Sequence, residues 1–378
     1  MTLPEIMAKA DKGIRKAVVK FHPHFAAFAY SGGRKFFLKR LAESTFEPVN
    51  FNYDAHKKTL WNLNFGNPLM NAAGMFKNGE GYDLCVNQAA GAYLCGTTTY
   101  TPRKGNLRLN IKAPFAPFPH SGAAVNWMGL PNPGHAAVAK AVSVIGHKKY
   151  CPLGASLSID PEASGKKAVE DLAEGMKLYD QAAICFMEIN ESCPNVAHEP
   201  LAETDENGID MGLINRLELI SSLYLKKRER LLPVIVKFSN DTLLEQVPAL
   251  IDILTELGFD GINFGNTSTD YEYYKKFIDK KDEKIFNYFT SNFGGGLSGT
   301  FLKKTSFELA KKAAEEVRSK ELKKEFHVIR TGGIETAGDI IESEKAGISL
   351  NQWFTGYFES FANYGNKLYA ELFNSLDS

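Results

Sequence analysis

A short polar stretch directly after an apolar run carries the residues most able to do chemistry. Ile184 to Ile189 has the composition of a buried strand, and Asn190-Glu191-Ser192-Cys193-Pro194-Asn195 follows it at once. An asparagine side chain offers a donor and an acceptor on one planar group, which suits a ligand with alternating C=O and N–H edges. A cysteine between two such groups can act as a base or as a nucleophile once it ionises. A lone cysteine beside turn-forming residues is more often a half-buried thiol, so its role depends on whether the chain supplies a matching site.

Composition and charge exclude several classes of protein. The 378 residues are 44% hydrophobic and 23% charged, as in globular proteins. The formal net charge is zero, so no global field favours nucleic acid, and no apolar run is long enough for a transmembrane helix. The five cysteines and eight histidines show no metal-ligand spacing, so we predict no metal site.

The charged N-terminus does not resemble a signal peptide, and the unclustered cysteines fit a reducing cytosol. We therefore expect a cytoplasmic protein.

Residues 1–50 differ from the rest of the chain. Basic residues outnumber acidic ones there, and apolar and aromatic residues lie between them. This pattern is typical of short amphipathic helices, which either pack across one end of a barrel or lie on an anionic membrane surface. Packing is favoured because most amphipathic helices face their own core. We predict an N-terminal amphipathic helical extension over residues 1–50, and a peripheral contact with the inner face of the membrane stays open.

Beyond residue 50, short apolar runs alternate with longer amphipathic ones. The predicted strands are Ala92–Cys95, Leu153–Leu157, Ile184–Ile189, Val234–Phe238, Gly261–Phe264, His327–Arg330 and Ile348–Trp353. The predicted helices include Lys167–Tyr179, Leu243–Leu257, Ser306–Ser319 and Ala337–Lys345. Regular alternation predicts an α/β fold with a parallel sheet. Because no linker rich in Pro, Gly or Ser interrupts it, one TIM (β/α)8 barrel over residues 51–378 fits better than two domains.

Residues just after each strand of such a barrel collect on one face. Small and polar side chains occupy these positions, and Asn126 lies in a long loop between strands. The glycine runs 294–299 and 332–333, at late strand ends, favour a phosphate group at a helix N-terminus. Lys237 could stabilise negative charge on the N1–C2=O edge of a reduced flavin, or it could cap its strand and reach solvent. Lys77 could pair with a substrate carboxylate, or it could be an ordinary surface lysine. No GxGxxG follows an early strand, which argues against a Rossmann site.

The motifs that hold these residues resemble, in order, those of the dihydroorotate dehydrogenases. They read NAAGMFKNGEG, TTTYTPRKGN, NWMGLPNPG, MEINESCPN, PVIVKF, GNTS, GGGLSG and RTGGIETAGD. The resemblance covers nearly the whole predicted barrel. It implies an FMN-binding TIM barrel that oxidises dihydroorotate to orotate in de novo pyrimidine biosynthesis.

The resemblance also implies roles for single residues. Cys193 would be the base that removes the C5 proton, while the C6 hydride passes to flavin N5. The substrate-binding residues would be Lys77, Asn126, Met128, Gly129, Leu130, Asn190, Asn195, Asn266 and Thr267. The FMN-binding residues would be Ala72, Ala73, Gly74, Thr97, Ser156, Asn190, Lys237, Ser298, Gly299, Gly332, Gly333, Phe354 and Thr355.

The chain combines features of two branches of that family. Soluble members resemble it in using a cysteine base, but they carry a lysine close to where Gly96 stands. Quinone-reducing, membrane-associated members resemble it at Lys77, at Gly96 and in the basic N-terminal extension. They use serine as the base, however, and an asparagine where Ser156 stands.

This combination leaves the electron acceptor open between fumarate, a quinone and NAD, and it leaves a homodimer open as well. Two alternatives to the function also stay open. One is a related FMN barrel acting on uracil- or thymine-type pyrimidines, which would not need the cation of Lys77. The other is a flavin-binding protein without turnover.

Overall fold

The centre of the computed structural model, which describes residues 1–191 and 203–375, is a barrel of parallel strands. Its strands are β1 (Leu69–Asn71), β2 (Tyr93–Thr98), β3 (Leu153–Leu157), β4 (Phe186–Asn190), β5 (Val234–Phe238), β6 (Gly261–Phe264), β7 (His327–Thr331) and β8 (Leu350–Trp353). Neighbours in the eight-stranded sheet are also neighbours in the chain, in the order β1-β8-β7-β6-β5-β4-β3-β2. Every pair in this order is parallel. This confirms the predicted TIM barrel.

Helices surround the barrel, and most of them share one hydrophobic cluster with the outward-facing strand residues, while Tyr271–Lys275 and Glu283–Asn292 pack in a second cluster. They are Tyr53–His56, Tyr82–Asn87, His135–Val142, Gly165–Gln181, Met211–Leu223, Val247–Leu257, Tyr271–Lys275, Glu283–Asn292, Lys303–Ser319, Ala337–Lys345, Thr355–Tyr364 and Leu368–Asn374. Single 3-10 turns lie at Leu225–Lys227, Leu244–Gln246, Thr300–Leu302 and Gly365–Lys367. The predicted helix over 243–257 starts as an α-helix only at Val247, because Pro248 is favoured in a first helical turn and lacks the N–H that an earlier start would need.

A side chain closes the barrel between β1 and β2. The buried carboxamide of Asn71 donates from Nδ2 to the carbonyl oxygen of Leu94 at 2.7 Å, and its Oδ1 accepts from the Leu94 N–H at 3.1 Å. The amide therefore takes the place of one rung of the backbone ladder, and both Leu94 groups are satisfied. Backbone bonds flank this rung, from Gly91 N–H to the Leu69 carbonyl at 2.9 Å and from Gly96 N–H to the Phe76 carbonyl at 3.1 Å.

We expect Asn71→Leu to lower the free energy of unfolding by about 2–6 kcal/mol. The substitution would leave two backbone groups of Leu94 without partners in the interior, and each such group costs about 1–3 kcal/mol. Urea unfolding followed by circular dichroism measures the effect. Asn64→Leu, on a half-exposed strand residue, is the matched control and should change stability by less than about 0.5 kcal/mol. Equal midpoints for the two variants would contradict the role of Asn71.

The side chains inside the barrel form an apolar tier and a polar tier. At the amino-terminal end, a hairpin of strands Lys58–Leu60 and Leu63–Phe65 inserts Trp61 and Phe65 among apolar residues of the barrel strands, including Leu94 and Phe186. Because side chains alternate along a strand, the next inward positions lie nearer the carboxyl ends. These positions are polar and buried, and they are Ser156, Glu188, Lys237, Asn263, Thr331 and Gln352. We call this set the polar tier.

A three-stranded antiparallel sheet, with strands Phe115–Phe118, Ala123–Asn126 and Gly296–Gly299, contributes to the carboxyl-terminal end of the barrel. This differs from the sequence-based expectations, which place Asn126 in a loop and the glycines 294–299 after a barrel strand. Asn126 ends the central strand of the small sheet, opposite Gly296 and Phe115. The local pattern does not reveal this strand, because glycine has low strand propensity and the pairing partner is distant in sequence. A short hairpin of Leu107–Arg108 and Ile111–Lys112 lies before the small sheet.

The predicted N-terminal helical extension is present as α1 (Leu3–Phe21) and α2 (Pro23–Glu43). Val19, Ala26 and Ala27 are buried in a hydrophobic cluster with the small sheet and the helix Glu283–Asn292. On α1, Lys12 Nζ lies 3.0 Å from Glu359 Oε1 of the helix Thr355–Tyr364, and Arg15 pairs with the same carboxylate. The extension therefore packs against the rest of the protein. No helix in the described part of the chain is long and apolar enough to cross a bilayer. A boundary between residues 50 and 51 stays a prediction.

Candidate active site

A pocket opens at the carboxyl ends of the barrel strands. It is lined by Ala72, Ala73, Gly74, Lys77, Thr97, Asn126, Met128, Leu130, Asn190, Lys237, Asn266, Thr267, Ser298, Thr331 and Phe354. All of these except Thr331 are among the site residues predicted from the sequence. Residues from distant parts of the chain meet here because the barrel brings its strand ends to one face and the small sheet adds Asn126 and Ser298.

The remaining described candidates lie beside or behind the pocket wall, and they are Gly129, Ser156, Gly299, Gly332, Gly333 and Thr355. Ser156 Oγ lies 3.0 Å from Thr97 Oγ1, and Thr355 Oγ1 lies 3.1 Å from Ser298 Oγ, so these two each contact a residue of the wall. Cys193 and Asn195 lie outside the described residues.

Three asparagines, three threonines and one serine supply uncharged hydrogen-bonding side chains to the pocket. Asn190 Nδ2 donates to Thr97 Oγ1 at 3.1 Å, and Asn266 Nδ2 donates to Asn190 Oδ1 at 3.3 Å. The buried hydroxyl of Thr267 has no hydrogen-bond partner within residues 1–191 and 203–375. Since a buried polar group without a partner is costly, Thr267 is suited to contact a ligand. With Asn126 on the small sheet, the pocket offers donors and acceptors to a planar polar ring.

Lys77 supplies a positive charge to the same pocket. Its ammonium group donates to the carbonyl oxygen of Pro131 at 3.2 Å, on the loop that follows Asn126. The backbone N–H of Lys77 donates to Glu80 Oε1 at 2.9 Å, which fixes the start of this side chain. A cation beside carboxamides is the arrangement that a ring bearing a carboxylate requires.

Lys237 is a second cation, and it belongs both to the polar tier and to the lining of the pocket. It is only 2% exposed, and its ammonium group donates to Gln352 Oε1 at 2.9 Å and lies 3.5 Å from Glu188 Oε1. Burial lowers the pKa of the Lys237 ammonium, and the negative charge of Glu188 opposes this effect. Lys237 is therefore an interior cation at the pocket floor rather than a lysine that reaches solvent.

The backbone that follows β7 fits a phosphate group. Gly332 and Gly333 have φ angles of 125° and 70°, and a Cβ at Gly333 would lie 2.5 Å from the backbone of Lys303. Their N–H groups have no acceptor in the described part of the chain. The helix Thr355–Tyr364 begins nearby, since a Cβ at Gly356 would lie 2.1 Å from the Ile334 carbonyl oxygen. Unpaired N–H groups beside a helix N-terminus bind anions, so these residues fit the phosphate of FMN.

Besides Thr331, three residues of the polar tier were not predicted from the sequence as site residues, and they are Glu188, Asn263 and Gln352. Strands of a parallel barrel are covered on both faces and are normally apolar. A charged or amide side chain in the middle of an otherwise apolar strand, as in FMEIN, GINF and LNQW, is the signal that could have found them.

Comparisons with known proteins agree with this geometry. The model of the dihydroorotate dehydrogenase family matches residues 55–376. A dihydroorotate dehydrogenase (quinone) of Trichodesmium erythraeum is 29% identical over 304 residues, which cover 79% of this chain and 74% of that protein. A second dihydroorotate dehydrogenase (quinone), from Christiangramia forsetii, is 29% identical over 349 residues. These residues cover 91% of this chain and 93% of the Christiangramia protein.

The fold is also that of a solved structure. Ligand-free DHODH from Eimeria tenella superposes with a TM-score of 0.72 at 20% identity, over 91% of this chain and 94% of that one. At this identity the superposition shows the shared fold alone. Because the family model spans the whole barrel and its surrounding helices, the chain belongs to the dihydroorotate dehydrogenase family.

Proposed function

We propose that this protein oxidises dihydroorotate to orotate in pyrimidine biosynthesis, with FMN as its redox cofactor. Membership of the dihydroorotate dehydrogenase family supports the reaction. The observation that carries the substrate assignment is the pocket itself, where Lys77 shares a wall with Asn126, Asn190 and Asn266. Dihydroorotate has both features that these residues suit, since its ring carries C=O and N–H groups and a carboxylate.

The residues of the pocket have distinct roles in this proposal. Asn126, Asn190 and Asn266 would orient the ring through its polar edge, and Lys77 would hold the carboxylate. Cys193 would accept the proton from C5 as the C–H bond at C6 breaks. Bound FMN supplies the acceptor for the C6 hydride. Lys237 would face the side of the site where negative charge develops.

Anaerobic mixing of the purified FMN-loaded protein with dihydroorotate tests the proposal. We expect the flavin absorbance to bleach and orotate to form. Dihydrouracil, which lacks the carboxylate, is the control for the uracil-type alternative and should bleach the flavin far more slowly. Bound FMN that dihydroorotate cannot reduce would contradict the proposal and favour a flavin-binding protein without turnover.

We also propose a quinone as the electron acceptor. The relatives from Trichodesmium and Christiangramia are named dihydroorotate dehydrogenase (quinone), and the N-terminal helices are present here as well. A side chain has no room at Gly96, because a Cβ would lie 2.4 Å from the Ser156 carbonyl oxygen and φ is +97°. The backbone here therefore requires glycine, which is a feature that the chain shares with the quinone-reducing branch. Turnover with a soluble quinone should exceed turnover with fumarate or NAD, and the reverse order would contradict this proposal.

The surface of α1 and α2 supports a peripheral contact with an anionic membrane. Phe21, Phe25 and Phe28 are at least half exposed near the junction of the two helices, and lysines lie on the same helices. Exposed aromatic residues beside basic ones are typical of helices that lie in the membrane interface. Their neighbours Val19, Ala26 and Ala27 face the protein, so the apolar residues of these helices serve two different surfaces.

We expect the triple variant Phe21→Ser, Phe25→Ser, Phe28→Ser to bind anionic vesicles at least about tenfold more weakly. Loss of even about 1.4 kcal/mol of apolar burial in the interface has this effect. Vesicle co-sedimentation measures the binding, and flavin bleaching by dihydroorotate should stay unchanged. Leu231→Ser removes an equally exposed apolar side chain elsewhere and is the control. Equal vesicle binding by all forms would contradict the membrane contact.

A further inference from the structure

Glu188 is a charged residue in the middle of a doubly buried strand. It lies on β4 and is 1% exposed, with its side chain in the polar tier. Removing a carboxylate from water is costly, and such groups persist when they are paired and hydrogen-bonded. An apolar residue would fill this position at lower cost. Phe186, two residues earlier on the same strand, fills the apolar tier in this way. The position therefore calls for a reason beyond packing.

Both oxygens of the Glu188 carboxylate are fully used. Oε2 accepts from Asn263 Nδ2 at 2.8 Å and from Gln352 Nε2 at 2.7 Å. Oε1 accepts from Ser156 Oγ at 3.3 Å and lies 3.5 Å from Lys237 Nζ. Within the described residues, Glu188 is the only carboxylate at ion-pair distance from Lys237. It is thus the local counter-ion of the pocket-floor cation.

Glu188 also fixes the hydrogen-bond direction of the neighbouring amide. Because Gln352 donates from Nε2 to Glu188, its Oε1 must face the other way, toward Lys237 and Thr331. Thr331 Oγ1 donates to this oxygen at 3.0 Å, and the Lys237 ammonium donates to it at 2.9 Å. The carboxylate therefore acts on Lys237 in two ways, through its charge and by orienting the Gln352 oxygen that accepts a hydrogen bond from Lys237.

We propose that Glu188 is a positioning residue of the proposed FMN site, which keeps the buried Lys237 protonated and aimed so that the pocket floor carries a cation over the working pH range. The inference rests on the proposed function, because its consequence for redox chemistry requires FMN at this floor. A protonated Lys237 would stabilise the negative charge of reduced flavin, and a neutral Lys237 would not.

The direction of the effect follows from the charges around Lys237. Burial lowers the pKa of Lys237 and the Glu188 charge raises it. Removing that charge lets Lys237 lose its proton at a lower pH than in the parent protein. Gln352, which accepts from Lys237, does not titrate. Among residues 1–191 and 203–375, Glu188 is the charged group that opposes the effect of burial on Lys237.

Glu188→Gln is the decisive substitution, with the midpoint potential of bound flavin measured against pH by spectroscopic titration. At low pH, Lys237 would be protonated without its counter-ion, and the variant potential should lie above that of the parent. As the pH rises, the difference in potential between variant and parent should fall by at least about 30 mV. For a two-electron couple this is a tenfold change in the equilibrium constant for flavin reduction. A pH-independent difference would overturn the inference.

The double variant Glu188→Gln, Lys237→Met separates action through Lys237 from a general effect. The flavin potential of the double variant should differ from that of Lys237→Met by an amount that does not change with pH. If this difference falls with pH as it does between Glu188→Gln and the parent, the inference is overturned. Thermal unfolding of the apoproteins gives a second readout, because it needs no bound flavin. The double variant should be more stable than either single variant, since each single substitution leaves one buried charge unpaired. A double variant less stable than both would show that the two residues are not coupled.

The two proposals can fail separately. A parent protein that binds no FMN would refute the proposed function and, with it, this inference. If the parent binds and reduces FMN, but the difference in flavin potential between Glu188→Gln and the parent does not change with pH, the inference alone is refuted.

Discussion

Replacing Cys193 by alanine is expected to leave FMN bound and to slow flavin reduction by dihydroorotate about 10²- to 10⁴-fold. This range is the usual contribution of a positioned general base. The hydride cannot leave C6 productively while the C5 proton has no acceptor, so the chemical step rather than binding should slow. Stopped-flow bleaching of the flavin under anaerobic conditions measures the rate directly, and the flavin spectrum shows whether the cofactor is retained.

Cys193→Ser should give an intermediate rate that increases with pH. A hydroxyl ionises much less readily than a thiol, so a serine base depends more on hydroxide concentration. Burial raises the pKa of Cys85, Cys151 and Cys185, and that of Cys95 to about 12. None of the four cysteines that the structure describes is therefore a ready base near neutral pH. Cys185→Ser is the matched control and should reduce flavin at the parental rate. A parental rate in Cys193→Ala would remove Cys193 from the mechanism.

Replacing Lys77 by methionine is expected to lower kcat/KM for dihydroorotate about 100-fold. A hydrogen bond to a charged partner contributes about 1.5–3 kcal/mol, and 2.7 kcal/mol corresponds to this factor. Methionine keeps much of the length and apolar character of the side chain, so the loss of charge dominates. Steady-state kinetics with a soluble quinone provides kcat/KM.

A second substrate separates loss of charge from loss of shape. Dihydrouracil lacks the carboxylate, so Lys77→Met should leave its already low rate unchanged within about a factor of three. Lys345→Met removes an exposed lysine at the end of the helix Ala337–Lys345 and should leave both substrates unaffected. A parallel loss for both substrates would mean that Lys77 supports the loop that follows Asn126, through its hydrogen bond to the Pro131 carbonyl, and does not bind the carboxylate.

The barrel could be predicted from the sequence because its signals are local. Each predicted strand from Leu153–Leu157 onward overlaps a barrel strand, since an apolar run between polar turns fixes a buried strand without knowledge of its neighbours. The strand Gly296–Gly299 could not be found in this way. It exists only because Ala123–Asn126, far away in the chain, offers it a hydrogen-bonding edge.

The site shows the same division. Lys77, Asn126 and Asn266 were identifiable because they are polar residues in the segments between the predicted strands, where no core packing explains them, and all three line the pocket. Glu188 was not, because its function depends on Lys237 and Gln352, which lie on other strands and meet it only inside the closed barrel. A sequence reveals which side chains are unusual in their own segment. It does not reveal which of them form an ion pair with a residue on another strand.

We expect the barrel to open most easily where the Asn71 side chain closes it. The amide hydrogen of Leu94 is protected by a carboxamide, which can rotate away without separating any strand. The amides of β4 and β5 are held by backbone rungs and exchange only when strands part. Hydrogen exchange should therefore begin at the β1–β2 seam. Gly74 follows β1 and Thr97 lies near the end of β2, so the first part of the barrel to open is also the part that borders the proposed flavin site.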